Sequence, residues 1–185
     1  MIWHLLLVLP LLISAARVPE CHDAELKRWV ANIADVTIEG VGKLDERGRL
    51  WPELWRNPSQ AAGCLIGQLR VVDVAVLQPD EKSNRDALRT LWSLRALRYL
   101  TGGKDFCGPT AHAQELDETR RQFLTIRCGP RGEVSFFGVW MSRDIVYFAP
   151  TDAQERIIQQ WITWYNADGL RYLYTPARSL DDWYF

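Results

Sequence analysis

The stretch "KSNRDALRTLWSLRALRYLTGGKDFC", residues 82–107, contains the most complete helix signal in the chain and indicates its fold class. Ser83 is a natural N-cap, and Asp86 three residues later gives a capping-box arrangement. Either glycine of the pair 102–103 can supply a left-handed C-cap. The apolar residues between these caps share one face at 100° per residue: Ala87, Leu88, Leu91, Trp92, Leu94 and Tyr99. The spacing predicts a helix over about 84–101.

Two arginines, Arg95 and Arg98, lie on the apolar side of this helix in its last two turns. They could stabilise the carboxyl end of the helix dipole while their stems lie along apolar surface. One of them could instead form a structural ion pair with Asp73 of the preceding segment, because a buried carboxylate needs a partner. A pocket for an anionic ligand is the third interpretation. The structural interpretations are favoured, since structural ion pairs outnumber functional ones.

The segment before it, "PSQAAGCLIGQLRVVDVAVLQP", predicts a central helix over about 60–78 because it is apolar nearly all round. Its second half, "VVDVAVL", also has the composition of a buried strand. Length favours the helix, and so do small residues that allow close packing: Ala61, Ala62, Gly63 and Gly67. We therefore expect a helix hairpin of 60–78 with 83–101 at the centre of the fold.

Two further helices are predicted to pack against this hairpin. The first follows Cys21, with Asp23 as its cap and apolar residues at helical spacing. The second covers 152–167, with Thr151 as cap and Gln154 completing a capping box. Between the hairpin and this last helix, residues 122–148 read as a small β-like or irregular segment. The predicted fold class is mainly α.

The loop-rich segment before the central helix contains two tryptophans, Trp51 and Trp55. Large aromatic side chains usually bury, which favours docking of both residues onto the core. An exposed aromatic binding surface is the alternative, so both are also candidate binding residues. Arg143 and Asp144, between two apolar runs, either face each other across a turn or are solvated, and are the other candidates.

The first sixteen residues, "MIWHLLLVLPLLISAA", are interpreted as a signal peptide. An apolar run over 5–13 precedes the small residues Ser14 and Ala16, so cleavage is expected after Ala16. The run is shorter than the roughly 20 residues that span a bilayer. A retained membrane anchor is the alternative. The mature chain, 17–185, would be a single exported domain in the periplasm or outside the cell, without stable membrane insertion.

An even number of cysteines in an exported chain predicts two disulfides. All four lie in the predicted mature part: Cys21, Cys64, Cys107 and Cys128. Proximity in sequence favours the pairs 21–64 and 107–128 among the three pairings. A zinc site is disfavoured because no two cysteines form a C-x-x-C pair and the mature chain has only His22 and His112 as histidines. Neither a metal nor another cofactor is expected.

The charge balance restricts the class of partner. The 22 basic and 23 acidic residues give a net charge of −1, and the predicted signal peptide contains none of them. Nucleic acids and anionic membranes are generally bound by a basic face. The expected partner is therefore another protein of the cell envelope.

Two blocks of the chain resemble bacterial helical-repeat proteins of the HEAT type, namely "LRALRYLTGGKDF" and "APTDAQERIIQQWITWYNADG". The matching residues are Leu97, Leu100, Thr101, Gly102, Asp105, Phe106, Ala149, Pro150, Arg156, Trp161 and Trp164. About 40 residues separate the blocks, and no internal period indicates an array. The resemblance implies a helix-hairpin scaffold used for protein contacts.

The sequence contains no G-x-S-x-G, H-E-x-x-H or glycine-rich phosphate loop. His112 with Glu115 and Asp117 could form an acid–base group, but such spacing is common in polar loops. Paired carboxylates beside the abundant tryptophans would suit a glycan hydrolase. Because no catalytic motif is present and histidine is scarce, we expect a non-catalytic interaction module of the scaffold, inhibitor or immunity type. The alternative is a small envelope hydrolase acting on cell-wall glycan or peptide.

Overall fold

The computed structural model describes residues 17–34, 51–78, 84–129 and 132–167. The predicted signal peptide and the C-terminal tail lie outside the described residues. The described helices are α1 (Ala24–Ala31), α2 (Pro52–Arg56), α3 (Pro58–Ile66), α4 (Arg85–Leu100), α5 (Glu118–Thr125) and α6 (Thr151–Ala167). The described strands are β1 (Val76–Leu77), β2 (Cys107–Pro109), β3 (Glu133–Ser135), β4 (Phe137–Trp140) and β5 (Ile145–Phe148).

Helix α4 confirms the predicted helix and its glycine stop, but the predicted N-cap Ser83 is wrong. The cap is Asn84, whose side chain accepts a hydrogen bond from the Ala87 N–H, while Ser83 lies outside the described residues. At the carboxyl end, the Gly103 N–H donates to the Arg98 carbonyl at 2.7 Å. Gly102 and Gly103 have φ of 68° and 94°, a conformation that favours glycine. The two glycines therefore end the helix where the sequence predicted.

The predicted helix over 60–78 is wrong in its second half. Helix α3 ends at Ile66, and the chain then runs without helix to β1. The β-branched residues of "VVDVAVL" favour strand over helix, and the strand interpretation is correct for its last two residues, which form β1. The hairpin of long helices is therefore replaced by a short helix, α3, packed on α4.

The Gln154 side chain forms hydrogen bonds with the backbone of Val72, which lies in the non-helical segment after α3. Its amide oxygen accepts from the Val72 N–H at 2.7 Å, and its amide nitrogen donates to the Val72 and Ala149 carbonyls at 3.0 and 2.7 Å. The side chain is buried. The predicted capping-box role of Gln154 is therefore wrong, because its amide oxygen accepts from the Val72 N–H and not from a backbone N–H at the start of α6.

Replacing Gln154 with alanine should lower the free energy of unfolding by about 2 kcal/mol, because the buried Val72 N–H and carbonyl lose their partners. The measurement is urea denaturation of the oxidised protein. Gln159→Ala is the matched control, since Gln159 is exposed on the same helix. Equal stability of the two variants would contradict the assigned role.

The fold class is mixed α/β, which corrects the mainly α prediction. Three strands form an antiparallel sheet in the order β1–β5–β4, and β2 pairs with β3 in a second antiparallel sheet. The expected β-like segment near 122–148 contains the end of α5 and three of these strands. Strands interrupt the helices in the described ranges, so the chain does not fold as a HEAT-like repeat, and the resemblance was misleading.

The three-stranded sheet separates two apolar layers. Phe137, Val139, Val146 and Phe148 face the main core, where α3, α4 and α6 also contribute. The opposite face carries Gly138, Trp140, Ile145 and Tyr147, and α5 packs on this side. This alternation follows from the two-residue period of a strand, and it places α5 as an outer layer.

Both predicted disulfides are confirmed. Cys21 is joined to Cys64 and Cys107 to Cys128, with Cα–Cα distances of 4.6 and 5.7 Å. The first bond ties the segment before α1 to α3. The second ties the first residue of β2 to the turn after α5. No described helix is long and apolar enough to cross a membrane.

Candidate functional site

Arg98 forms a buried ion pair, and its partner is Asp105. Asp73 is exposed, so the predicted pair with Asp73 is wrong, and the premise of a buried carboxylate at that position fails. Arg98 is only 8% exposed, and its Nη2 donates to Asp105 Oδ2. Its guanidinium also lies 4.3 Å from the centre of the Phe137 ring. Arg98 is therefore a structural residue that attaches the end of α4 to the sheet.

Burial and the neighbouring Asp105 carboxylate shift the pKa of Arg98 in opposite directions. Burial lowers the pKa of Arg98 to about 10, while Asp105 opposes this shift. The turn at Gly102 and Gly103 returns the chain, so that Asp105 faces the helix it has just left. Arg95 lies differently, with its guanidinium 4.7 Å from the Trp92 ring centre.

Trp51 belongs to an aromatic cluster in the core. It is 7% exposed and makes edge-to-face contacts with Trp29, Trp92 and Tyr99 at centroid distances of 5.8–6.4 Å. Trp55 is half-buried and contacts Tyr99 at 5.5 Å. Both tryptophans dock onto the core, as favoured from the sequence, and they lie in a different part of the fold from Arg143 and Asp144.

The suggested acid–base trio is only partly brought together. His112 Nδ1 lies 2.9 Å from Glu115 Oε1, and both side chains are exposed. Asp117 instead caps α5 by accepting from the Arg120 N–H at 2.8 Å. Asp152 holds the loop in place through the Thr110 hydroxyl and the Ala111 N–H. The histidine and one carboxylate thus form a surface pair.

The hydrogen bond and charge of Glu115 raise the pKa of His112 above its ordinary value. Glu115→Gln should therefore lower the His112 pKa, measured by NMR titration of the imidazole. The pair favours the protonated form, so its stabilisation is present below the unfolded pKa of about 6.5 and disappears as the pH rises through the folded pKa. An unchanged His112 pKa in Glu115→Gln would show that the contact does not form in solution.

Three aromatic rings form a stack on the outer face of the sheet. Phe123 of α5 lies parallel to Trp140 and Tyr147, with centroid distances of 5.6 and 5.5 Å and interplanar angles of 24° and 9°. We call Phe123, Trp140 and Tyr147 the aromatic stack. Tyr147 is buried, whereas Phe123 and Trp140 are half-buried. Part of the stack therefore reaches the surface.

Gly138 makes room for this stack. It lies directly across from Tyr147 and two residues before Trp140 on the same face. A Cβ atom at Gly138 would lie 2.3 Å from the Phe123 carbonyl oxygen and 2.8 Å from the Phe123 Cβ. The Ser135 hydroxyl also donates to the Leu124 carbonyl at 3.0 Å. The missing side chain thus lets α5 approach the sheet closely enough for Phe123 to lie beside the other two rings.

Arg143 and Asp144 extend this surface at the turn between β4 and β5. The Arg143 guanidinium lies 4.2 Å from the centre of the Trp140 ring. Asp144 has φ of 53°, a conformation that aspartate adopts more readily than most non-glycine residues. Both side chains are exposed. The turn therefore presents an arginine against the exposed end of the aromatic stack.

Ile126 adds an apolar side chain to the same side of the protein. It is the C-cap of α5, in helical conformation, and is 67% exposed. Residues three apart on a helix are neighbours on one face, so Ile126 follows Phe123 along the surface of α5. We call Phe123, Ile126, Trp140 and Arg143 the binding surface.

No protein-family model, curated protein or solved structure matches this chain. The HEAT-type resemblance therefore has no support from known proteins, in agreement with the mixed α/β fold. Among the described residues, no group of three or more His, Cys, Asp or Glu side chains is arranged to hold a metal ion.

Sequence reasoning selected Arg143 but missed the rest of the binding surface. The alternation in "FGVW" and "IVYF" could have indicated a hairpin whose Trp140 and Tyr147 share a face. Nothing local indicates that Phe123, which precedes β4 by fourteen residues, packs over Gly138. That contact depends on tertiary structure alone.

Proposed function

We propose that this chain is an exported protein-interaction module that binds another protein of the cell envelope through the binding surface. The observation that carries the proposal is the contact of the exposed Arg143 guanidinium with the half-buried Trp140 ring, 4.2 Å from its centre. Exposed Ile126 at the end of α5 adds an apolar side chain. Tryptophan and arginine are the residue types most enriched among those that dominate binding energy at protein interfaces.

The setting of this surface supports the proposal. Trp140 and Phe123 are already held by ring contacts, so binding would immobilise few additional rotamers and lose little conformational entropy. The Cys107–Cys128 bond and the Ser135–Leu124 hydrogen bond hold α5 near its carboxyl end. A surface fixed in this way is preorganised for a folded partner.

Export supports a partner in the envelope. Two disulfides are consistent with an oxidising compartment, and the near-neutral charge disfavours nucleic acid. A scaffold, an inhibitor and an immunity-type protein all fit such a module. The alternative, a cell-wall hydrolase, would need a cleft with convergent carboxylates or histidines, and the His112–Glu115 pair is solvent-exposed.

The test is an affinity capture from the native host's envelope fraction, with the oxidised 17–185 protein as bait. A second bait carries Trp140→Ser with Arg143→Ser, and a third carries the control change Arg156→Ser at an exposed position of α6. We expect a partner, identified by mass spectrometry, to be retained in near-stoichiometric amount by the unmodified bait and the control and lost from the double variant. Equal retention by all three baits would refute the proposed surface. Retention of no partner would refute the function.

A further inference from the structure

The contact between Arg143 and Trp140 leaves the hydrogen-bonding edge of the guanidinium available. A guanidinium that stacks on an aromatic ring directs its N–H donors outward in its own plane. Arg143 is exposed, and among the described residues no carboxylate lies within ion-pair distance of it, although Asp144 follows directly. The arginine is therefore oriented by the indole while its charge is not neutralised within the described part of the protein.

Several other arginines of the described fold contact a carboxylate within it, whereas exposed Arg28 and Arg156 have none among the described residues, as Arg143 has none. Arg98 is neutralised by Asp105, and exposed Arg56 and half-buried Arg89 contact Glu25 and Asp86 at 2.7 and 3.1 Å. Burial at an interface would make the unmatched charge of Arg143 costly unless the partner supplies an acceptor. A planar carboxylate is the acceptor that matches a guanidinium in a bidentate contact.

We propose that the Arg143–Trp140 pair binds an aspartate or glutamate carboxylate of the partner protein, with an apolar side chain of that partner beside it. This inference rests on the proposed function and specifies the partner's chemistry at the same site. Trp140 contacts the arginine and Phe123 contacts Trp140, while Ile126, three residues after Phe123, adds an exposed apolar side chain. The carboxylate would form two parallel hydrogen bonds with the guanidinium edge, and the apolar neighbour would lie on Ile126.

The composition of the surface favours a protein carboxylate over a phosphate. Anionic lipid headgroups and other phosphates are usually bound by several clustered cations. The binding surface contains one arginine and three apolar side chains, and the neighbouring Arg127 already lies 4.0 Å from Asp105. The whole chain has a net charge of −1. A surface with one positive charge and several apolar side chains is complementary to an acidic residue that has apolar neighbours on a partner protein.

The test uses NMR of the oxidised protein and three capped tripeptides as probes. Each has phenylalanine first and leucine last, with aspartate, asparagine or phosphoserine in the middle. The readouts are the Trp140 indole N–H and the Arg143 Nε–H signals. We expect saturable shifts with the aspartate peptide at millimolar concentration, and about tenfold weaker binding of the asparagine peptide, since a charged hydrogen bond contributes about 1.5 kcal/mol.

Variants distinguish a specific contact with Arg143 from non-specific peptide binding. Arg143→Gln should abolish the preference for aspartate over asparagine, and Arg143→Lys should lose most of it because an ammonium cannot form the planar double contact. Arg156→Gln should leave the preference unchanged. Equal binding of aspartate and asparagine peptides, tighter binding of the phosphoserine peptide than of the aspartate peptide, or no shift with any peptide would overturn the proposal.

Failure of the carboxylate contact can be distinguished from failure of the proposed function. If an envelope partner is captured through Trp140 while Arg143→Gln captures it equally well, the protein is an interaction module but the carboxylate contact is absent. If the peptides bind as expected and no envelope partner depends on this surface, the chemistry of the surface stands and the proposed function fails.

Discussion

Asp105→Ala is expected to lower the free energy of unfolding by about 3–5 kcal/mol, because it leaves the buried guanidinium of Arg98 without its counter-charge. The Arg98 side chain is 10% exposed and that of Asp105 is 11% exposed, so water compensates little of the loss. The measurement is urea denaturation of the oxidised protein at neutral pH. Asp86→Ala is the control, because the Asp86–Arg89 pair is at the surface and should change stability by less than about 1 kcal/mol.

A double variant shows whether the uncompensated charge is the cause. Arg98→Met combined with Asp105→Ala removes both charges and leaves an apolar side chain against Phe137. Replacing a whole buried pair in this way is often close to neutral, so the double variant should be more stable than Asp105→Ala alone. A double variant as unstable as the single one would show that Asp105 acts through another contact, such as its bond to the Phe106 N–H.

Gly138→Ala is expected to destabilise the protein by about 3 kcal/mol, at the upper end of the effect of overpacking. The new Cβ would meet backbone atoms of α5, with the Phe123 carbonyl oxygen at 2.3 Å. Backbone cannot move aside as the end of a flexible side chain can. Because α5 must shift outward, the Phe123 ring should also separate from Trp140 and Tyr147.

Both effects of Gly138→Ala are measurable. Urea denaturation gives the loss of stability, and near-ultraviolet circular dichroism reports the aromatic stack. Gly67→Ala is the control, since Gly67 has φ of −61° and its nearest neighbour would lie 3.3 Å from a new Cβ. The control should stay within about 1 kcal/mol of the unmodified protein. If Gly138→Ala were equally harmless, the close packing of α5 on β4 would be incorrect.

The elements that the sequence predicted well are those with local signals. Helix α4 has caps at both ends and an apolar face between them, and Asp23 caps α1 as expected. The two disulfides followed from cysteine count and spacing. Such features depend on residues within a few positions of one another, or on a covalent bond that has few alternatives.

The errors arise where a distant residue decides the structure. The segment after α3 is not helical: Gln154, 82 residues beyond Val72, bonds to the Val72 N–H and carbonyl, and β5 pairs with β1. Neither partner is visible from the segment itself. Arg98 is a different case, because Asp105 lies only seven residues later and the glycine turn was predicted. Following the chain through that turn would have identified Asp105 as the partner.

The binding surface was the hardest part to anticipate. It combines Phe123 of α5, its C-cap Ile126, Trp140 of β4 and Arg143 of the following turn, and Gly138 allows α5 to approach β4. From sequence alone, Arg143 and Asp144 were only polar residues between two apolar runs. The importance of Arg143 depends on Trp140, whose ring it contacts and which is itself packed against Phe123 of α5.

Site-specific photo-crosslinking in the native envelope shows whether a partner protein lies against this surface. A photoreactive phenylalanine analogue at Ile126 lies on the binding surface, and one at exposed Arg28 of α1 serves as the control position. We predict a discrete crosslinked species from position 126 that is absent from position 28 and is lost when Arg143→Gln and Trp140→Ser are added. Equal crosslinking from both positions, or a species from 126 that persists in the double variant, would contradict the assignment of this surface to partner binding.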